Sequence, residues 1–256
     1  ARPDPSTMPS YPLRALVLRK TKLGETDVIV TLLAENGRQV RAVAKGMRKP
    51  TSKFAGRLEP YSEVDLLMHE GRSLDVVSEA QTLDAHAALR EDFDRSTAAA
   101  VVADVLDKIA VEAQAEERLF GLAHASLAAM ESADADGLHA LVVAFLVKAM
   151  AMHGYRPVLD ACATCACEAG ATRLFSLQAG GVVCLECGTA DAAALHFTPE
   201  ARAWLTALLG ATMADVGGLG IPDAAVRDCF TLVRSFVTYH LPARLKALEF
   251  YAGVLG

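Results

Sequence analysis

The sequence predicts a multidomain α+β protein: an N-terminal OB-fold-like β-barrel, an α-helical bundle, and a small cysteine-rich ribbon inserted in that bundle. Three observations carry this reading. Apolar residues recur with a period near two up to about residue 80, and with helical spacing after it. Five short β-rich runs are packed into roughly the first 80 residues. Two C-x2-C pairs then interrupt the helical part. A chain of 256 residues that is 52% hydrophobic has room for two or three modules and the apolar content to give each a core.

Residues 1–10 (ARPDPSTMPS) read as a flexible leader with Met8 a candidate start, because prolines recur there and no apolar signal-peptide run is present. From Tyr11 the strands begin. Leu13, Ala15 and Val17 alternate along the first, residues 27–33 (DVIVTLL) form a β-branched second, and residues 40–44 a third. Residues 64–68 and 73–78 supply the fourth and fifth. Asn36-Gly37 between two of these runs is a strong hairpin signal. Five strands within residues 11–80 fit a small closed barrel, for which the OB-fold is the natural candidate; an SH3-like barrel would read the same.

Helical spacing takes over in residues 85–112, 117–131 and 136–153, and resumes at 198–209, 222–240 and 243–254. Thr198-Pro199 gives an N-cap and a proline at the first helical position. The expected helical domain is therefore residues 81–160 and 198–256, with the insert between them at 161–197. No uncharged apolar run reaches the roughly 18–20 residues that cross a bilayer. The nearest, residues 140–152, carries Lys148, so a soluble, cytoplasmic protein is expected.

In the insert, Cys162 and Cys165 are separated by 18 residues from Cys184 and Cys187. Each C-x2-C presents two thiolates from one tight turn, and two such pairs at this spacing make a four-cysteine zinc site. Residues 173–177 and 181–184 read as a hairpin between them, which makes the insert a zinc-ribbon-like module with one structural ion. Gly188 follows the last cysteine, where a permissive backbone is expected. Cys167 reads either as a spare thiol beside the site or as an alternative ligand, with His153 and His196 further options, and Cys229 as a core residue on a helix. Four thiolates leave no open coordination position, so the metal is expected to be structural and no catalytic residue is assigned. No phosphate-binding glycine loop, dinucleotide fingerprint or G-x-S-x-G nucleophile is present.

Net charge is −6, yet residues 37–57 hold seven basic residues and no acidic one. Phosphate binding depends on potential within a Debye length of about 8 Å, not on total charge. Arg38, Arg41, Lys45, Arg48, Lys49, Lys53 and Arg57 of this segment, with Arg14, Arg19, Lys20 and Lys22 upstream, are the candidate DNA-binding residues; an ordinary solvated face is the alternative. Phe54 and Tyr61 either offer base stacking, worth ~1–3 kcal/mol per base, or pack in the core.

These residues carry a resemblance. Residues 42–62 (AVAKGMRKPTSKFAGRLEPYS) are similar to the strand, basic loop and S-K-F-A-G-x-L-x-P-Y stretch of the bacterial RecO family of recombination mediators. Gly24-Glu25-Thr26 resembles that family's G-E-T turn. GYRPVLDACATC at 154–165 and FSLQAGGVVCLEC at 175–187 resemble its two cysteine segments, G-x-x-P-x-L-x-x-C-x-x-C and F-S-x-x-x-G-G-x-x-C-x-x-C. Order and spacing agree over roughly residues 11–199. The family's terminal G-R-x-L-K-S-R stretch is not matched: residues 240–248 read HLPARLKAL, keeping only Leu245-Lys246. The resemblance implies binding to single- and double-stranded DNA, annealing of complementary strands, and partnership with RecR in helping RecA replace single-strand-binding protein. It also implies a nucleoid-associated, non-enzymatic role. A zinc-stabilised adaptor that binds protein partners and touches nucleic acid only incidentally is the competing expectation, motivated by the net −9 charge of residues 81–256.

Overall fold

A computed structural model describes residues 9–54 and 56–255, apart from the side chain of Leu255. Most of the expected leader, including Met8, lies outside the described residues, and its last residue, Ser10, already belongs to a strand. The described chain divides into two compact units. One holds the residues up to 99 together with 103–131, and the other holds 100–102 and 132–256.

The first unit is built on five strands: β1 (Ser10–Leu23), β2 (Asp27–Ala34), β3 (Gln39–Ala44), β4 (Glu63–His69) and β5 (Asp75–Asp84). They close in the order β1-β2-β3-β5-β4, every pairing antiparallel except the short parallel contact of Ala42 and Val43 with Asp75 and Val76. Closure leaves no sheet edge to template aggregation. The barrel is filled by the alternate residues that the period-two pattern marks, among them Val17, Val30, Leu32, Val64, Leu66 and Met68. A bulge between Val17 and Arg19 lets β1 run on for 14 residues, pairing with β4 through its first half and with β2 through its second. The Asn36-Gly37 turn forms as expected, with Gly37 at φ +80°. A Cβ there would also lie 2.0 Å from the carbonyl oxygen of Glu116, so glycine is required twice over.

Three helices follow: α1 (Ala88–Glu91), α2 (Phe93–Ile109), capped by Asp92 accepting from the Arg95 N–H, and α3 (Glu117–Ser132). The barrel strands run on to residue 84, so the expected boundary at residue 80 is too early. Moreover, α1, α3 and most of α2 group with the barrel and not with the later helices. Local periodicity marks a helix but does not say which core its face meets.

The second unit contains α4 (Ala135–Met152), β6 (Leu174–Ser176), β7 (Gly181–Val183), α5 (Leu185–Ala190), β8 (Leu195–His196), α6 (Pro199–Gly210), α7 (Asp223–His240) and α8 (Lys246–Leu255). Helix α4 is the central element: Leu141 to Val147 are all buried, and α6 and α7 pack on it. By length and composition it could cross a membrane, with a mean hydropathy of 1.6, but 61% of it is buried inside the protein. Its one basic residue, Lys148, donates from Nζ to the carbonyls of Leu209 (2.8 Å) and Ala211 (2.6 Å), which end α6. At the other end of α6 the Thr198 hydroxyl accepts from the Ala201 N–H at 3.1 Å with Pro199 in the first turn, as the sequence predicts.

Candidate nucleic-acid interface and metal centre

The basic segment leaves β3 at Ala44 and returns to β4 at Glu63. Its first turn is fastened to the β1–β2 turn. The carboxylate of Asp27 accepts the Gly46 N–H (2.7 Å), the Arg48 N–H reaches the Thr26 carbonyl (2.9 Å), and the Arg48 guanidinium donates to the Glu25 carbonyl (2.9 Å). Further on, Lys53 donates to the Ser78 carbonyl and Arg57 to the Ala80 carbonyl (3.2 Å), so the loop lies along β5 beyond its short pairing with β3.

The eleven candidate cations are therefore not equivalent. Arg14 holds the buried Glu63 through Nε (2.7 Å) and Nη2 (2.5 Å), and Glu63 also meets His124 Nδ1 at 3.0 Å. Arg19 pairs with Asp107 (3.4 Å), Lys20 with Glu59 (2.5 Å), and Arg38 donates to the Glu112 carbonyl (2.6 Å). Arg48, Lys53 and Arg57 are engaged by backbone carbonyls as described. Lys22, Arg41, Lys45 and Lys49 make no side-chain hydrogen bond or ion pair among the described residues. Three of these four share one end of the barrel: Val28 pairs with Lys22 on one side and with Ala44, next to Lys45, on the other. Lys49 completes the group, since it and Lys45 both lie near enough to Asp27 to help hold its pKa below the ordinary carboxylate value. The larger causes of that depression are the hydrogen bonds from Gly46 and Thr26.

The two aromatic candidates separate as well. Phe54 is only 2% exposed and belongs to the barrel core, so the base-stacking expectation for it is corrected. A ring placed in the core brings more stabilisation than one held in water, and the Phe54 carbonyl accepts the Arg57 N–H at 3.1 Å. Tyr61 is half-buried in a left-handed conformation (φ 73°), with its N–H donated to the Val17 carbonyl at the β1 bulge. Burial raises its phenol pKa.

In the second unit, Cys162, Cys165, Cys184 and Cys187 bring their sulfur atoms within 4.8 Å of one another. The Cys165 and Cys184 sulfurs are 3.9 Å apart. A tetrahedron of Zn–S bonds of about 2.3 Å has edges of about 3.8 Å, so these residues fit a four-thiolate zinc ion. Both C-x2-C segments fold alike: the N–H of Cys165 points at the Cys162 sulfur, and the N–H of Cys187 at the Cys184 sulfur. Bonds from Cys165 and from the Cys184 backbone hold the Cys162 thiol down to about 6, which prepares it as a thiolate ligand. Cys187 is pushed up, chiefly by donating to its neighbour Cys184. Cys167 sits against the cluster, 3.3 Å from Cys165, and hydrogen bonding with Cys165 pushes its thiol up to about 12. Cys229 is buried in the helical core as expected, and burial pushes it up to about 12.

The hairpin between the cysteine pairs is present as β6 and β7, but a third strand, β8, pairs with the other edge of β6. Two residues, Leu195 and His196, are too short a run to signal a strand. Gly188 is needed for close packing and not for an unusual backbone: a Cβ there would fall 2.4 Å from Leu174 Cδ1.

A closed five-stranded barrel with lysines free of ion pairs at one end, followed by a helical part that carries a cluster of four cysteines able to hold a metal ion, defines a modular barrel protein with a candidate metal centre. Comparison with known families agrees with both halves. Residues 8–86 match the N-terminal family model of recombination protein O, and residues 90–249 match the C-terminal model. The chain is 38% identical over 249 residues to the DNA repair protein RecO of Nocardioides sp. strain JS614, covering 94% of this chain and 98% of that one. It is 34% identical over 246 residues to the RecO protein of Bifidobacterium adolescentis, with 94% and 99% covered. It is also 29% identical over 244 residues to that of Desulforamulus reducens, with 95% and 94% covered. The chain belongs to the recombination protein O family, and this membership supports a role in DNA repair and recombination.

Proposed function

We propose that this protein binds single- and double-stranded DNA through the barrel end that carries Lys22, Lys45 and Lys49, with Arg41 on the adjoining strand, and that it acts without an active site of its own. The carrying observation is that these four cations make no side-chain hydrogen bond or ion pair among the described residues, although Lys45 and Lys49 lie near Asp27, whereas the other seven are engaged internally. An unpaired ammonium can exchange its counterions for phosphates, which gives affinity without sequence preference. Arg48, Lys53 and Arg57 shape the loop and support the surface more than they contact DNA. Tyr61 remains the one candidate for base stacking.

Family kinship and the earlier motif agreement support a mediator role: annealing complementary strands, and with RecR helping RecA onto strands coated by single-strand-binding protein, in the cytoplasm at the nucleoid. The four cysteines hold one zinc ion that stabilises the second unit. The deciding experiment is binding of fluorescent single-stranded DNA across a salt series, comparing wild type with Lys45→Glu/Lys49→Glu. Each phosphate contact on a single strand contributes about 0.7 to the slope of log affinity against log salt, so losing two should flatten it by about 1.4. An unchanged slope would place the contact surface elsewhere.

A further inference from the structure

Asp84 is the last residue of β5, His86 follows two residues on, and Glu131 lies in the last turn of α3. All three belong to the first unit. The His86 side chain is 1% exposed, whereas Asp84 is 51% and Glu131 28% exposed, so a buried imidazole faces two carboxylates that reach water. Its Nδ1 lies 2.9 Å from Glu131 Oε2 and 3.6 Å from Asp84 Oδ1. Nε2 has no hydrogen-bond partner among the described residues, so the polar engagement of the ring seen there is on the carboxylate side. His86 has φ 42°, a left-handed conformation that few non-glycine residues adopt, and its N–H donates to Asp84 Oδ1 at 2.9 Å.

These separations suit a cation. Three donors on one ion with bonds of about 2.1 Å lie about 3.0 Å apart at right angles and about 3.6 Å apart at 120°. The contact with Glu131 accounts for the 2.9 Å approach, and the bond from the His86 N–H holds Asp84, so both carboxylates are already set beside Nδ1 before any ion binds. We propose that Asp84, His86 and Glu131 form a second metal site, selective for a divalent first-row transition ion bound through Nδ1 and one oxygen of each carboxylate, with water on its exposed side. One imidazole and two carboxylates suit such ions better than the soft thiolate cluster does. The ion ties the end of β5 to the end of α3 and neutralises two acidic groups against one buried ring. The site is separate from the DNA-binding reading and does not depend on it.

The test uses the full chain already loaded with zinc, titrated with Mn2+ while the electron paramagnetic resonance signal of free aqueous Mn2+ is followed. Wild type should remove one equivalent of that signal. Asp84→Asn and Glu131→Gln each keep an oxygen that can accept the existing hydrogen bond while removing the charge. Each should weaken Mn2+ binding by about tenfold or more, with the zinc content of the protein unchanged. Excess Mn2+ should also raise the melting temperature of wild type and not of the double variant, a readout that applies even if the variants are less stable. Absence of Mn2+ uptake by wild type, or uptake undiminished in both variants, overturns the proposal.

Discussion

The Asp27 carboxylate accepts the backbone N–H of Gly46 across 2.7 Å, and this bond fastens the start of the basic loop to the turn between β1 and β2. Hydrogen bonds from Gly46 and Thr26, aided by Lys45 and Lys49, hold the Asp27 pKa below its ordinary value of about 4. A depressed carboxylate contributes stability that is present above that ordinary value and is lost as pH falls through the lower, folded one. Amide exchange at Gly46 should therefore stay protected at pH 5 and above and weaken only below about pH 4. Protection lost between pH 5 and 6 would mean that another group fastens the loop. Asp27→Ala should speed exchange at Gly46 and Arg48 at neutral pH.

Phe54 tests the division between core and surface within the same loop. Phe54→Ala should destabilise the barrel by about 3–5 kcal/mol, the usual cost of removing a buried ring. At a temperature where the variant is still folded, its salt slope for DNA should equal that of wild type. A normal melting curve with weakened DNA binding would restore the stacking role. Denaturant unfolding and the fluorescent-DNA assay together decide it.

Much of the fold was legible because it is encoded locally. Alternation along residues 13–17, the Asn36-Gly37 turn, the Thr198-Pro199 cap and the two C-x2-C turns all act within a few residues of themselves. The features that were not legible depend on partners far along the chain. Whether Arg14 is available to DNA depends on Glu63, and whether Arg38 is depends on Glu112. Seven basic residues in residues 37–57 look alike in sequence, yet only Arg41, Lys45 and Lys49 among them make no side-chain hydrogen bond or ion pair among the described residues. The ends of the cluster, Asp84 and Glu131, are 47 residues apart in sequence, and the cluster has no motif. Asp84 and His86 lie where a strand had been expected to have already given way to helix.

Lys148 tests how an apolar helix tolerates a charge. Its ammonium is partly buried, and burial lowers its pKa, but two carbonyls at the end of α6 accept its protons. Lys148→Met keeps the length and apolar stem while leaving the Leu209 and Ala211 carbonyls without that donor. A hydrogen bond from a charged donor contributes about 1.5–3 kcal/mol, so a loss near 2 kcal/mol is expected by chemical denaturation. A change under about 0.5 kcal/mol would show that water replaces the ammonium at those carbonyls.

Metal removal should act on the second unit. The four sulfurs come from two turns separated by β6 and β7, so an ion held between them would tie the two turns together and its removal would release them. Purified protein should contain one zinc per chain. Cys184→Ser should lower that content and the melting temperature together, because Cys184 is one of the four clustered thiols and also the N-cap residue of α5. Cys167→Ser discriminates between the two readings of the fifth thiol: as a neighbour of Cys165 and not one of the four mutually close sulfurs, it should leave zinc content at one and stability within about 0.5 kcal/mol of wild type. If Cys167→Ser loses zinc while Cys187→Ser keeps it, the ligand set is Cys162, Cys165, Cys167 and Cys184, and the second turn contributes a single thiolate. Measuring zinc by elemental analysis beside thermal unfolding separates these outcomes, since a purely structural defect would lower stability without changing the metal content first.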